Sequence, residues 1–263
     1  MNTSVLGMLI FQLIAVLVGP LLLALWIRRR YGAAWSSLGW GSLTFPLSQL
    51  LRIPLLLGTA ALVNPYAEKW DAALLFWVNF VVLSLTSGLF EEGARYLILR
   101  WAAKGVRDWK EGLLYGVGHG GIEAILLVGG TAISNIVLLL MADQVLAQLG
   151  QMAPEQAAAV TAQLDAVRGL TWLLPLLSIW ERAIAIVLHI GLSLLVLLGV
   201  LRRTFRPVLA AMLLHAAFNG VALLALRYTS AAGVEALLTV LALAPLYLIW
   251  RLRPSLDGAV GEG

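Results

Sequence analysis

Residues 169–201 read GLTWLLPLLSIWERAIAIVLHIGLSLLVLLGVL. From Ala183 to Leu201 the only ionisable side chain is His189, and a continuous apolar run of about 20 residues is what crosses a hydrocarbon core as a helix. The N-terminal part of the same stretch carries Pro175. The whole is longer than an untilted span needs, so it either kinks there or begins in the interface. Runs of the same character recur at approximately 4–27, 40–63, 72–101, 111–141, 207–226 and 232–250. The expected fold is therefore all-α, a polytopic integral membrane bundle of seven helices, or eight if the 169–201 stretch is divided.

The composition agrees with that reading. The chain has 263 residues, 61% hydrophobic and 12% charged, where a soluble domain carries about a quarter charged residues. Residues 1–263 are expected to form one membrane domain with no soluble unit. There is no cysteine, which removes disulfides, thiolate nucleophiles and thiolate metal sites from consideration. The net charge of +4 does not imply nucleic acid, because the basic residues sit in short clusters beside apolar spans rather than on an aromatic-interleaved face. The expected surroundings are the lipid bilayer.

Those clusters predict an orientation. Arg28, Arg29, Arg30, Arg100, Lys104, Arg107, Lys110, Arg202, Arg203, Arg206, Arg251 and Arg253 fall on one side of a seven-span chain, and only Lys69, Arg168 and Arg227 on the other. By the positive-inside rule the N-terminus is outside and the C-terminus cytoplasmic, with Trp26, Trp101, Trp109 and Trp250 at the inner interface. The first span lacks a basic n-region and ends in the arginine triplet, so it reads as a retained helix rather than a signal peptide. Between spans, residues 143–168 space Val145, Leu149, Met152, Val160, Leu164 and Val167 at near-helical intervals around Pro154. They form either a pair of surface-lying helices or a plain connector.

Ionisable groups inside spans are costly and mark function by default. All three histidines, His119, His189 and His215, lie in predicted spans, with Glu91, Glu92, Arg95, Glu123, Glu181, Arg182 and Asn219. Counted from the nearest basic anchor, Glu92 lies twelve residues before Lys104, His119 nine after Lys110, His189 thirteen before Arg202 and His215 nine after Arg206. Those offsets correspond to about 13 to 20 Å of helix. Four helices thus bring polar groups to one level, within a core expected at residues 72–226. Residues three or four apart share a helix face, so Arg95 can meet Glu91 or Glu92, His119 can meet Glu123, and His215 can meet Asn219. The G-x-x-x-G spacing of Gly116 and Gly120 beside His119 predicts close helix packing, or else an open passage next to the histidine.

Taken in order, Phe90-Glu91-Glu92-Gly93-Ala94-Arg95-Tyr96, His119-Gly120-Gly121-Ile122-Glu123, Glu181-Arg182 ahead of His189, and His215-Ala216-Ala217-Phe218-Asn219 resemble the YhfC family. That family is similar to a wider group holding the prenyl-protein (CAAX) proteases, the bacteriocin-processing membrane proteases and PrsW. This chain has E-E-x-x-R where CAAX-type relatives have E-E-x-x-x-R, and it lacks an H-E-x-x-H pair. The resemblance implies intramembrane hydrolysis of a peptide bond in a membrane-associated protein or peptide, in a bacterial cytoplasmic membrane.

Two adjacent carboxylates in low dielectric do not both ionise cheaply, and Arg95 favours the charge on one of them. The resemblance then implies a glutamate, Glu92 or the Glu91–Glu92 pair, activating water. It further implies His215 and Asn219 as oxyanion donors, His119 orienting the water, and His189 supporting the site. Glu123 would fix a histidine tautomer. No cofactor is expected on that mechanism. A zinc site drawn from His119, Glu123, His189 and His215 is the competing chemistry. A proton-coupled transporter or a non-catalytic scaffold would also place such residues at mid-membrane.

Overall fold

The computed structural model describes residues 3–258, and among these there is no strand. The single-domain expectation extends over residues 1–2 and 259–263, which lie outside the described residues. Among the described residues, seven helices are long and apolar enough to cross a membrane. They are α1 (Thr3–Tyr31), α2 (Trp35–Ala67), α3 (Ala72–Ala102), α4 (Trp109–Leu140), a long helix Leu173–Leu201, then Arg206–Tyr228, and a last span that breaks at Ala242. Between α4 and the fifth span lie the short helices α5 (Ala142–Gln148) and α6 (Pro154–Arg168). The later spans are accordingly α7 (Leu173–Leu201), α8 (Arg206–Tyr228), α9 (Ala231–Leu241) and α10 (Leu243–Arg251).

Local signals account for the helix ends. Asp71 caps α3 by accepting from the Leu74 amide at 2.7 Å, and Asp108 caps α4 by accepting from the Glu111 amide at 3.0 Å. Gly32, at φ +72°, makes the left-handed turn that ends α1, its amide donating to the Arg28 carbonyl at 2.8 Å. The next helix begins on a remote cap: the Glu111 carboxylate accepts from the Ala34 amide at 3.1 Å and from the Ser37 hydroxyl, which anchors the start of α2 to α4. Pro175 falls in the first turn of α7, where no intrahelical donor is lost, so the helix continues without division and the count is seven.

The 169–201 stretch becomes the centre of the bundle. From Ile184 to Val200 every residue of α7 except Val187 is buried, and α4 packs along it through small residues. A Cβ added at Gly112, Gly116 or Gly120 would meet Leu194, Ile190 and Ile186 at 2.6, 2.4 and 2.9 Å. This four-residue ladder faces α7 on one side of α4. Gly118 faces α2, where its Cβ would lie 2.2 Å from the Leu38 carbonyl oxygen. The glycines around His119 therefore admit neighbouring backbones and leave no passage, as the packing reading expected and the open-passage reading did not. Interrupting α3 and α4 are π-helical turns at Ile98–Ala102 and Ile125–Gly129, beginning three residues beyond Arg95 and two beyond Glu123. Between α4 and α7, Leu164 and Val167 of α6 bury against Val5, Met8 and Leu9 of α1 and Leu139 of α4, so this segment is a docked helix rather than a loose connector.

Candidate active site

Four spans contribute polar side chains to one buried cluster. Glu91, Glu92 and Arg95 of α3, His119 of α4, His189 of α7 and His215 of α8 are each 3% exposed or less. The His119 and His189 ring centroids are 4.5 Å apart, and those of His189 and His215 are 5.2 Å apart. Helical spacing on α3 sets the first pairing. Arg95, one turn after Glu92, binds its Oε2, and the other Glu92 oxygen accepts from His215 Nδ1 at 2.8 Å. Glu92 is thus engaged at both oxygens.

Hydrogen positions follow from donor inventories. Guanidinium groups only donate, so the 3.1 Å contact of Arg95 Nη2 with His189 Nδ1 makes that nitrogen the acceptor. A neutral His189 then carries its hydrogen on Nε2, which lies 2.5 Å from Glu123 Oε2 but off the hydrogen-bond axis. The Glu123 Oε1 atom accepts from Arg182 Nη1 at 3.0 Å, and Arg182 Nη2 reaches Glu181 Oε1 at 2.5 Å. By the same logic His215 donates from Nδ1 to the arginine-paired Glu92, and a neutral His215 presents its Nε2 lone pair to the centre.

Glu91 is differently placed. Its Oε2 lies 3.3 Å from His119 Nε2 and 3.9 Å from His215 Nε2, and its Oε1 is 3.3 Å from Arg52 Nη1. Of the pairings expected from spacing, Arg95 selects Glu92. His119 turns to Glu91, and Glu123 serves His189 and Arg182 instead. Asn219 donates to Ser87 Oγ at 2.8 Å and ties α8 to α3, while His215 pairs with Glu92. Sequence reasoning passed over Arg52, although it is an arginine well inside a predicted span and the rule that found the others applies to it. It also passed over Ser87, a residue type too common in helices to signal anything alone.

One subset of the cluster suits a divalent ion. Glu91, His119, Glu123 and His189 each bring a nitrogen or oxygen to within 4.8 Å of the others, as do Glu92, His189 and His215. In the second group Arg95 already claims Glu92 and the His189 lone pair. The first group holds His119 Nδ1 and Glu123 Oε2, both buried without a hydrogen-bond partner. Buried orphan atoms call for an explanation, and nitrogen–oxygen donors of this kind suit zinc. His119 and Glu123 therefore fit a metal, with His189 Nε2 beside them, 2.5 Å from Glu123 Oε2.

A seven-span helical bundle that buries paired glutamates, an arginine and three histidines in one cluster is an integral membrane protein with a polar centre. The family model described as YhfC intramembrane metalloprotease matches residues 13–240, and the chain belongs to this family. It is 35% identical over 239 residues to the uncharacterized membrane protein YhfC of Bacillus subtilis (strain 168), covering 88% of this chain and 89% of that protein. No solved structure matches the chain. All the motifs quoted above, from Phe90 to Asn219, lie inside the matched region. Membership supports an intramembrane protease; the catalytic type is a separate matter.

Proposed function

We propose that the chain is an intramembrane endopeptidase that hydrolyses a peptide bond of a membrane-associated protein or peptide with water activated by Glu91. The observation that carries this assignment within the pair is the unequal engagement of the two glutamates. Glu92 is held closely at both oxygens, by Arg95 and by His215 at 2.8 Å, whereas Glu91 has only the 3.3 Å contacts of Arg52 on Oε1 and His119 on Oε2, with His215 Nε2 3.9 Å from Oε2. The 3.9 Å separation of Glu91 Oε2 from His215 Nε2 exceeds a direct hydrogen bond.

A water held at this centre donates one hydrogen to Glu91 and the other to His215 Nε2. Glu91 takes its proton as the oxygen attacks the scissile carbonyl. The same proton then passes to the departing amine as the carbon–nitrogen bond breaks. Glu92 acts through His215, fixing its tautomer as a carboxylate does when it accepts from Nδ1–H. Asn219 uses one amide hydrogen on Ser87, and its second is available to the oxyanion.

His119 and Glu123 would hold a divalent ion, and His189 would steady the Glu123 carboxylate. Such an ion supplies Lewis-acid polarisation of a carbonyl or of water.

The test is the chemistry itself. Purified protein in nanodiscs is incubated with membrane peptides and the products are read by mass spectrometry, alongside the Glu91→Gln protein. Hydrolysis creates new termini with wild type alone. Substrate flux in sealed proteoliposomes without new termini would indicate a transporter, and a stable partner without cleavage a scaffold.

A further inference from the structure

We propose that the peptide reaches the centre through the cleft between α2 and α3, and that Arg52 closes the inner end of that cleft against Glu91. The proposal rests on the protease reading but concerns a surface that reading does not use. From residue 49 to residue 83, the chain running up α2 and back down α3, no side chain is buried. The helices are joined at their far end by the short turn before Ala72, and between them lies a cleft lined by Leu56, Thr59, Asn64, Asn79 and Leu83 among others.

Three features fit this cleft to an extended peptide. Hydrocarbon offers an unfolded backbone no hydrogen-bond partner. Here Thr59 and Asn79 bring polar groups to about 10 Å from the helix ends by rise alone. The second feature is the amide of Asn64, on the same lining, which both donates and accepts. The third feature is continuity with the chemistry. Arg52 lies one turn from Leu56 and donates to the carbonyl of Leu83, two residues that line the cleft, and its Nη1 meets Glu91 Oε1 at 3.3 Å.

All three side-chain bonds of Arg52, to Glu91, Leu83 and Thr86, are 3.3 to 3.4 Å long. These are weak tethers that an incoming backbone carbonyl can replace. Exchange of a glutamate for a peptide carbonyl would release Glu91 Oε1 and hold the chain beside the centre. The groove between α7, α8 and α10 is lined only by apolar side chains such as Leu192, Leu214 and Pro245, and offers a peptide backbone nothing.

Photocapture tests the route without requiring turnover. Benzophenone side chains are placed singly at Ala60 in the cleft and at Ala244 in the apolar groove. The probe is a biotinylated peptide of about 20 apolar residues with a central Gly-Ser break. Capture at position 60 is expected to exceed that at 244 at least five-fold and to fall at least three-fold when Arg52 is replaced by Leu. Capture at 60 no greater than at 244, including none at either, overturns the proposal. So does capture indifferent to Arg52. Because capture is read apart from cleavage, a chain that captures at 60 yet cleaves nothing would defeat the protease reading and leave the route standing.

Discussion

Replacing Gly116 by Ala should pull the site apart from a position that carries no chemistry. Its added Cβ would lie 2.4 Å from the Cα of Ile190 and 2.9 Å from the Ile190 nitrogen, both backbone atoms that cannot rotate away. Ordinary carbon contacts are about 3.5 to 4.0 Å, so α7 must retreat by more than about 1 Å at the residue following His189. The Arg95–His189 contact of 3.1 Å would then exceed hydrogen-bond range. Overpacking of a well-filled core costs about 1 to 3 kcal/mol, and a 1 Å displacement of reacting groups costs about 10²-fold in rate. The assays are thermal unfolding in detergent and initial cleavage rate. Gly130→Ala, where an added Cβ meets nothing within 4 Å, is the matched control on the same helix and should be silent in both. A Gly116→Ala protein as stable and active as that control would refute the argument that the glycine ladder registers His189 in the site.

Other perturbations address separate links. Arg95→Ala leaves Glu92 and His189 buried with a lost partner, and removing one member of a buried pair costs about 3 to 5 kcal/mol; a large fall in folded yield and thermal stability is expected, and unchanged values would exclude the role. Metal analysis of purified protein should find a divalent ion that is lost in His119→Ala and Glu123→Gln but kept in Glu181→Gln, and full activity in metal-free protein would remove the ion from the chemistry. Because the chain has no cysteine, single cysteines at Lys104 and Lys110 report orientation cleanly; labelling by an impermeant reagent from the outer face would reverse the expected topology.

The spans were legible because apolar length is a one-dimensional property, and their polar residues because charge at bilayer depth is rare enough to stand out. Depth counting from basic anchors was enough to put His119, His189 and His215 at one level. Partners were not legible. Spacing allowed Arg95 either glutamate and offered Glu123 to His119, but the choice depends on rotation of α4 against α7, and that rotation is set by where Gly112, Gly116 and Gly120 let the helices touch. Arg52 was readable by the same rule and was missed. The Glu111 cap on α2 links residues 77 apart, and no local pattern announces it.

The central claim, that Glu91 activates the water while Glu92 acts through His215, is tested most directly by hydrolysis in oxygen-18 water by folded wild-type, Glu91→Gln and Glu92→Gln proteins. Wild type should place one heavy oxygen in each new C-terminal carboxyl. Deleting a general base costs about 10² to 10⁴-fold, so Glu91→Gln should lose that much or more. Full wild-type incorporation by folded Glu91→Gln protein would contradict the account.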